Sequence, residues 1–251
     1  MELQYNEDYK SLFLENLKIF IKKIKTEENE KLIKKKYGLL FPMLGKNFLS
    51  SPDLLVFGRA TNGWETKFCI SNKIDLDGLI KNSIDSSTEV GNKCPLEWLW
   101  NGYNGYKGTT GKKEEYNFRK SSFWRVINKI VIEKFNRTDK NWTHQIAWSN
   151  LYKIAPAEGG NPSNIECNCQ FDNSEILFWK EIDLLSPKYI LLITDKSWVE
   201  DEFIKAKSLK KISNDYVQAI LNYKTSKIIV TCRPERKNEA EFVKNVLKYL
   251  K

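Results

Sequence analysis

Four short apolar runs constrain this chain more than any other feature. They are DLLVFG (53–58), HQIAWSNLYKI (144–154), KYILLIT (188–194) and KIIVTC (227–232). DLLVFG reads as a buried strand by its unbroken apolar run, and the other three read as the second, third and fourth strands of the same sheet. Between and around them lie segments of helical period. Residues 8 to 36 place Leu12, Leu14, Leu17, Ile19 and Phe20 near helical spacing, with lysines filling much of the rest. SSFWRVINKIVIEKF carries Phe123, Val126, Ile127, Ile130, Val131 and Ile132, with Ser122 available as an N-cap. EILFWKEIDLLSP stops at Pro187, and DYVQAILNY and NEAEFVKNVLKYL read as two further helices. Strands alternating with helices predict an α/β fold with a mainly parallel sheet covered on both faces. In such sheets ligands bind beyond the carboxyl ends of the strands. The loops after Phe57, Trp148, Thr194 and Val230 therefore share the expected binding edge.

The chain has 251 residues, enough for one α/β domain with a sizeable core. We expect one domain over 1–251, with an N-terminal helical segment (1–49) and a long insertion at 84–118. The insertion contains PLEWLWNGYNGYKGTTGKKEEYNF, which is rich in Gly, Tyr, Trp and Lys. That mixture suits a nucleic-acid surface by stacking plus charge, and equally a loop whose Trp98 and Trp100 pack on the body. The formal net charge is +9, which favours a polyanionic partner through counterion release. No apolar run approaches a membrane span and the polar start MELQYNEDYK is unlike a signal peptide, so we expect a cytoplasmic protein with no membrane contact. The five cysteines are an odd number and read as reduced thiols. Cys167 and Cys169 lack the spacing and partners of a zinc site, so no metal is expected.

Two familiar chemistries are excluded. Gly58 and Gly63 have the separation of the glycines in a nucleoside-triphosphate loop, but Trp64 and Glu65 stand where Lys and Ser or Thr are needed. The single histidine, His144, sits near the start of a strand, away from the binding edge, and reads as structural or exposed. That leaves no mechanism needing two histidines, and little for a His-centred acid–base scheme.

In order and spacing the chain resembles the uracil-DNA glycosylase superfamily over most of residues 50–250. DLLVFGRATNGW is similar to that family's first strand and water-activating loop. KFCIS resembles the segment that follows, where Phe68 matches the phenylalanine that stacks on a flipped base. WSNLYKIAPAEGGNPS resembles the second strand, where Asn150 matches the asparagine that reads the base edge. KIIVTCRPERKNEAEF resembles the fourth strand and the wedge loop. The family implies a three-layer α/β/α sandwich around a central four-stranded sheet, and hydrolysis of an N-glycosidic bond. The chain also departs from it. The Gly58 loop lacks the family proline, and Ala60 stands where many members have a catalytic Asp or Asn. Arg233 replaces the family histidine, and Ile154 replaces a ligand cysteine of the iron–sulfur members. No cluster and no other cofactor is therefore expected.

Base hydrolysis needs the base flipped out, a water-orienting group on the sugar side and donors on the base side. Asn62, past the strand end on a Gly-flanked turn, is the first candidate for the water, with Glu65 as the competing base. Arg233 is the candidate cation for the departing base. Base binding falls to Phe68, Asn150 and Arg59, and DNA binding to Arg236, Lys237, Lys153, Lys112 and Lys113. The expected partner is DNA, double-stranded with a flipped base or single-stranded, met by a monomer. The expected substrate is a deaminated or modified pyrimidine. Uracil is one choice. A bulky phage base such as glucosylated hydroxymethylcytosine, excised by some bacterial phage-defence members of the superfamily, is another. The alternatives are a glycosylase-like binding protein without catalysis and a small-molecule α/β enzyme using the same edge.

Overall fold

The computed structural model describes residues 7–64, 66–88, 94–101, 118–136, 141–199, 203–204 and 210–251. Its helices, in chain order, are α1 (Glu7–Thr26), α2 (Glu30–Lys34), α3 (Leu76–Asp85), α4 (Trp98–Asn101), α5 (Ser122–Phe135), α6 (Asn164–Leu185) and α7 (Glu239–Leu247). The strands are β1 (Lys36–Leu39), β2 (Met43–Leu44), β3 (Leu54–Gly58), β4 (Lys67–Cys69), β5 (Ile146–Asn150), β6 (Ile154–Pro156), β7 (Tyr189–Ile193), β8 (Lys210–Lys211), β9 (Val217–Tyr223) and β10 (Ser226–Thr231). Among the described residues no helix is long and apolar enough to cross a membrane. The chain divides into two compact units. Unit 1 takes Met1–Pro42, Gly58–Thr88 and Ser149–Leu185, and unit 2 takes Met43–Phe57, Glu89–Trp148 and Ser186–Lys251.

Unit 2 carries most of a seven-stranded mixed sheet in the order β2-β5-β3-β7-β10-β9-β8. β3 and β10 each pair with β7 in parallel, whereas β9 runs antiparallel to both β10 and β8. All five residues of β3, of β5 and of β7 are buried, as the unbroken apolar runs of β3 and β7 require; β5 also buries the polar Ser149 and Asn150. The sheet is larger and less parallel than the four-stranded one expected. One reason is DYVQAILNY, expected as a helix. It forms β9, whose Val217, Ala219 and Leu221 are buried in alternation with less buried neighbours. The hairpin to β10 turns at Lys224, which adopts a left-handed φ of 51° without the usual glycine. The expectation for 121–135 holds one residue earlier than supposed: Ser121, not Ser122, caps α5, its Oγ accepting from the Trp124 amide. From the insertion, Trp98 packs its ring 6.0 Å from Trp124 and 5.9 Å from Trp148. This part of the segment joins the core; most of the rest lies outside the described residues.

Unit 1 is built on two long helices and a small sheet. The N-terminal segment expected to be wholly helical also supplies β1, the centre of an antiparallel sheet in the order β4-β1-β6. α1 buries the stripe Tyr9, Phe13, Asn16, Leu17, Phe20 and Ile24, and α6 packs against it. The helices run antiparallel, since Tyr9 reaches Glu181 near the end of α6 and Lys23 reaches Asp172 near its start. Seven residues in from the Tyr9–Glu181 contact on each helix are Asn16 and Ser174, so these two sit near one level. Both are buried, and neither the Asn16 amide nor the Ser174 hydroxyl has a hydrogen-bond partner. Each orphan costs about 1–3 kcal/mol of desolvation. Asn16→Leu with Ser174→Ala is therefore expected to raise stability by about 1–2 kcal/mol, read as a higher melting temperature. A lower melting temperature would mean that ordered water already satisfies the pair.

Candidate functional site

In unit 1 the residues expected to form the site come from three separate stretches of sequence. The first is the loop after β3. Its backbone runs beside the segment after β5: the Leu151 amide donates to the Gly58 carbonyl at 2.9 Å, and the Tyr152 amide to the Arg59 carbonyl at 3.0 Å. The second is β4, whose Phe68 lies opposite Tyr37 of β1; Tyr37 in turn lies opposite Pro156 of β6. The third is the end of β5, at Asn150. The turn after β6 packs against the first. There the Gly160 amide donates to Asn62 Oδ1 at 2.8 Å. Gly159, at φ +104°, comes so close to Asn62 that a Cβ on it would sit 2.8 Å from Oδ1. Gly63, at φ +84°, supplies the left-handed residue that turns the loop back. Arg59, Asn62, Phe68 and Asn150 thus belong to one body of packed loops and short strands.

Their individual environments differ. Asn62 is exposed, but one lone pair of its amide oxygen is taken by Gly160, so part of its role is to tie two turns together. Phe68 is 7% exposed with its ring centroid 5.7 Å from that of Tyr37. Little of its surface is left for a base. Arg59 is half-buried. Asn150 is 1% exposed, and its Nδ2 has no partner. In the loop after β3, Thr61 is also buried with an unpartnered hydroxyl. Nothing in the sequence pattern separated Thr61 from its polar neighbours. Glu65, Lys112 and Lys113 lie outside the described residues.

Lys153 overturns its expectation. Expected to meet DNA, it is fully buried with an exposure of 0%. Its ammonium donates to Ser149 Oγ at 2.7 Å and to the Asn150 carbonyl at 2.6 Å, and pairs with Glu181 at 2.6 Å. Glu181 is also 0% exposed, and its Oε1 accepts from the Tyr9 hydroxyl at 2.6 Å. Burial pushes the Lys153 ammonium toward its neutral form, and the Glu181 carboxylate opposes that shift. No phosphate can reach such a group. A sequence signal for the partner did exist: Glu181 falls on the buried stripe of α6 with Leu177, Phe178, Ile182 and Leu185. A charge at such a position needs a partner.

In unit 2 the loop after β10 carries the remaining candidates. The Arg233 guanidinium forms a bidentate pair with Glu235, through Nε at 3.0 Å and through Nη2. Its amide donates to Asp195 Oδ1 at 3.3 Å, tying the loop to the end of β7. The Arg233 charge is therefore partly neutralised by its own loop. Arg236 and Lys237 are exposed. The Lys237 amide closes a turn onto the Pro234 carbonyl at 3.1 Å, with Arg236 held at φ 61°. A glycine would relieve that conformation, yet the chain puts a cation at the tip. Burial, together with the nearby Asp195 carboxylate, pushes the Cys232 thiol up to about 11. It is protonated near neutral pH and is no nucleophile.

Among the described residues no group of three or more His, Cys, Asp or Glu side chains could hold a metal ion. Neither known protein-family models nor curated proteins match the chain.

Proposed function

We propose that this chain is a DNA glycosylase of the uracil-DNA glycosylase kind. It would hydrolyse the N-glycosidic bond of a flipped-out deaminated or modified pyrimidine and leave an abasic site. The observation that carries the reading is Asn150. A buried amide nitrogen without a partner costs about 1–3 kcal/mol, and a ligand presenting an acceptor recovers that cost once the loops that leave Asn150 1% exposed part to admit it. A carboxamide is the side chain that offers both a donor and an acceptor, which is what a pyrimidine edge requires. It stands at the carboxyl end of β5, where ligands of such sheets bind.

Other features support the same reading. The four strands on which the family resemblance rests lie side by side, as β5-β3-β7-β10, within the larger sheet. The three-layer glycosylase architecture remains part of the proposal. Asn62 is exposed on the loop after β3 and keeps its amide donors and a second oxygen lone pair for a water. Arg236 and Lys237 project from the loop after β10, and the +9 charge suits a phosphate backbone.

One observation favours a second reading, a binding protein without catalysis. Two groups with proposed chemical roles, the Asn62 side-chain Oδ1 and the Arg233 guanidinium, are engaged within the chain. A single panel separates the readings. Duplex and single-stranded DNA containing uracil, hydroxymethylcytosine or glucosylated hydroxymethylcytosine is incubated with the protein and assayed for strand cleavage at abasic sites. Release from at least one substrate is the expected result. Salt-sensitive binding without release from any of them identifies the binding protein. Failure to bind any nucleic acid points to a small-molecule enzyme and ends both.

A further inference from the structure

A buried lysine ion pair is weak evidence for stability, because a well-packed apolar pair of similar volume does as well or better. What an apolar pair cannot do is donate hydrogen bonds. At the end of β5 that capacity is used on the backbone itself. The Asn150 carbonyl accepts from Lys153 Nζ at 2.6 Å, three residues on, so a side chain closes the turn in place of a main-chain amide. In the same turn the amides of Leu151 and Tyr152 donate to Gly58 and Arg59 in the neighbouring loop. The same ammonium donates to Ser149 Oγ and pairs with Glu181 of α6, whose Oε1 also accepts from the Tyr9 hydroxyl of α1.

We infer that Lys153 is a positioning residue that sets the direction of the Asn150 side chain by fixing the turn after β5, and that Glu181 and Tyr9 anchor it. This inference rests on the glycosylase reading for its functional consequence but not for its geometry. An unbroken chain of hydrogen bonds runs from the first helix through Tyr9, Glu181 and Lys153 to the Asn150 backbone. The docking of α1, far from Asn150 in sequence, thus sets the angle at which the amide meets a base.

The test uses Lys153→Met/Glu181→Leu, which removes both charges and leaves neither buried alone. Hydrogen exchange of residues 149–154 is compared with that of β7 as an internal reference. Exchange at 149–154 is expected to accelerate by about tenfold or more while β7 stays within about twofold. On a substrate from the panel, kcat is expected to fall by about a hundredfold, the scale set by a misplacement of 1 Å. Affinity for duplex DNA containing an abasic site should stay near that of the wild type. Tyr9→Phe, which keeps the ion pair, should give a smaller acceleration confined to the same residues. It decides the matter if the double variant does not fold. Unchanged exchange at 149–154 in a folded variant, or equal acceleration in β7, overturns the inference. A wild type that releases no base sinks the glycosylase reading instead, while the exchange measurement still decides whether Lys153 sets the turn.

Discussion

Lys153→Met alone is expected to cost about 3–5 kcal/mol of folding stability, the range for breaking one side of a buried ion pair. The cause lies less in the lost attraction than in what remains. Glu181 is 0% exposed, and its Oε2 already has no partner. Without the ammonium, its carboxylate would keep only the Tyr9 hydroxyl on Oε1. The Asn150 carbonyl and Ser149 Oγ would lose a donor at the same moment. Adding Glu181→Leu should recover most of the loss, since paired removal of buried charges is often neutral or stabilising. Denaturant unfolding of the two variants beside the wild type measures both effects. A loss below about 1 kcal/mol for the single variant would mean that Glu181 reaches water, against its burial.

Asn150→Ala is expected to move activity and stability in opposite directions. If Asn150 holds the base, kcat/KM for base release should fall by about 10²–10³-fold, as when one preorganised donor is taken from a transition state. Folding stability should hold or rise, because the substitution deletes a buried Nδ2 that has no partner in the free protein. The Asn150 carbonyl, which carries the contact to Lys153, is kept. Base release and thermal melting on the same preparation give the two readings. A variant that melts lower and still turns over would make Asn150 a structural residue and remove the observation on which the proposed function stands. Asn62→Ala is a useful contrast. It too removes a side chain proposed for catalysis, but it also unties the loop after β3 from Gly160, so its stability should fall.

The two polar residues at the centre of these predictions had different visibility in the sequence. Asn150 is legible from its place at the end of a strand run in the sequence. That place depends on local pattern, and the structure puts the residue at the end of β5. Lys153, three residues later, reads from the sequence as a DNA-binding cation. Its burial follows from Glu181 and Tyr9, which lie 28 residues after it and 144 before it in the chain. β9 shows the same limit within an element. Ala219, Leu221 and Gln218 favour helix by propensity, yet the segment pairs with β10 on one side and β8 on the other.

What the sequence determined by itself was local: the short strand runs that became β3, β5, β7 and β10, and the capped amphipathic helices such as α5 and α7. Those features depend on neighbours a few residues away, through backbone sterics and hydrophobic period. What only the tertiary structure decided was which polar groups lost their water and to whom they turned. Lys153 found Glu181, Arg233 turned to its own loop, and the nitrogen of Asn150 was left without a partner. Such outcomes depend on desolvation, which is set by everything packed around a side chain rather than by the residues beside it in the chain.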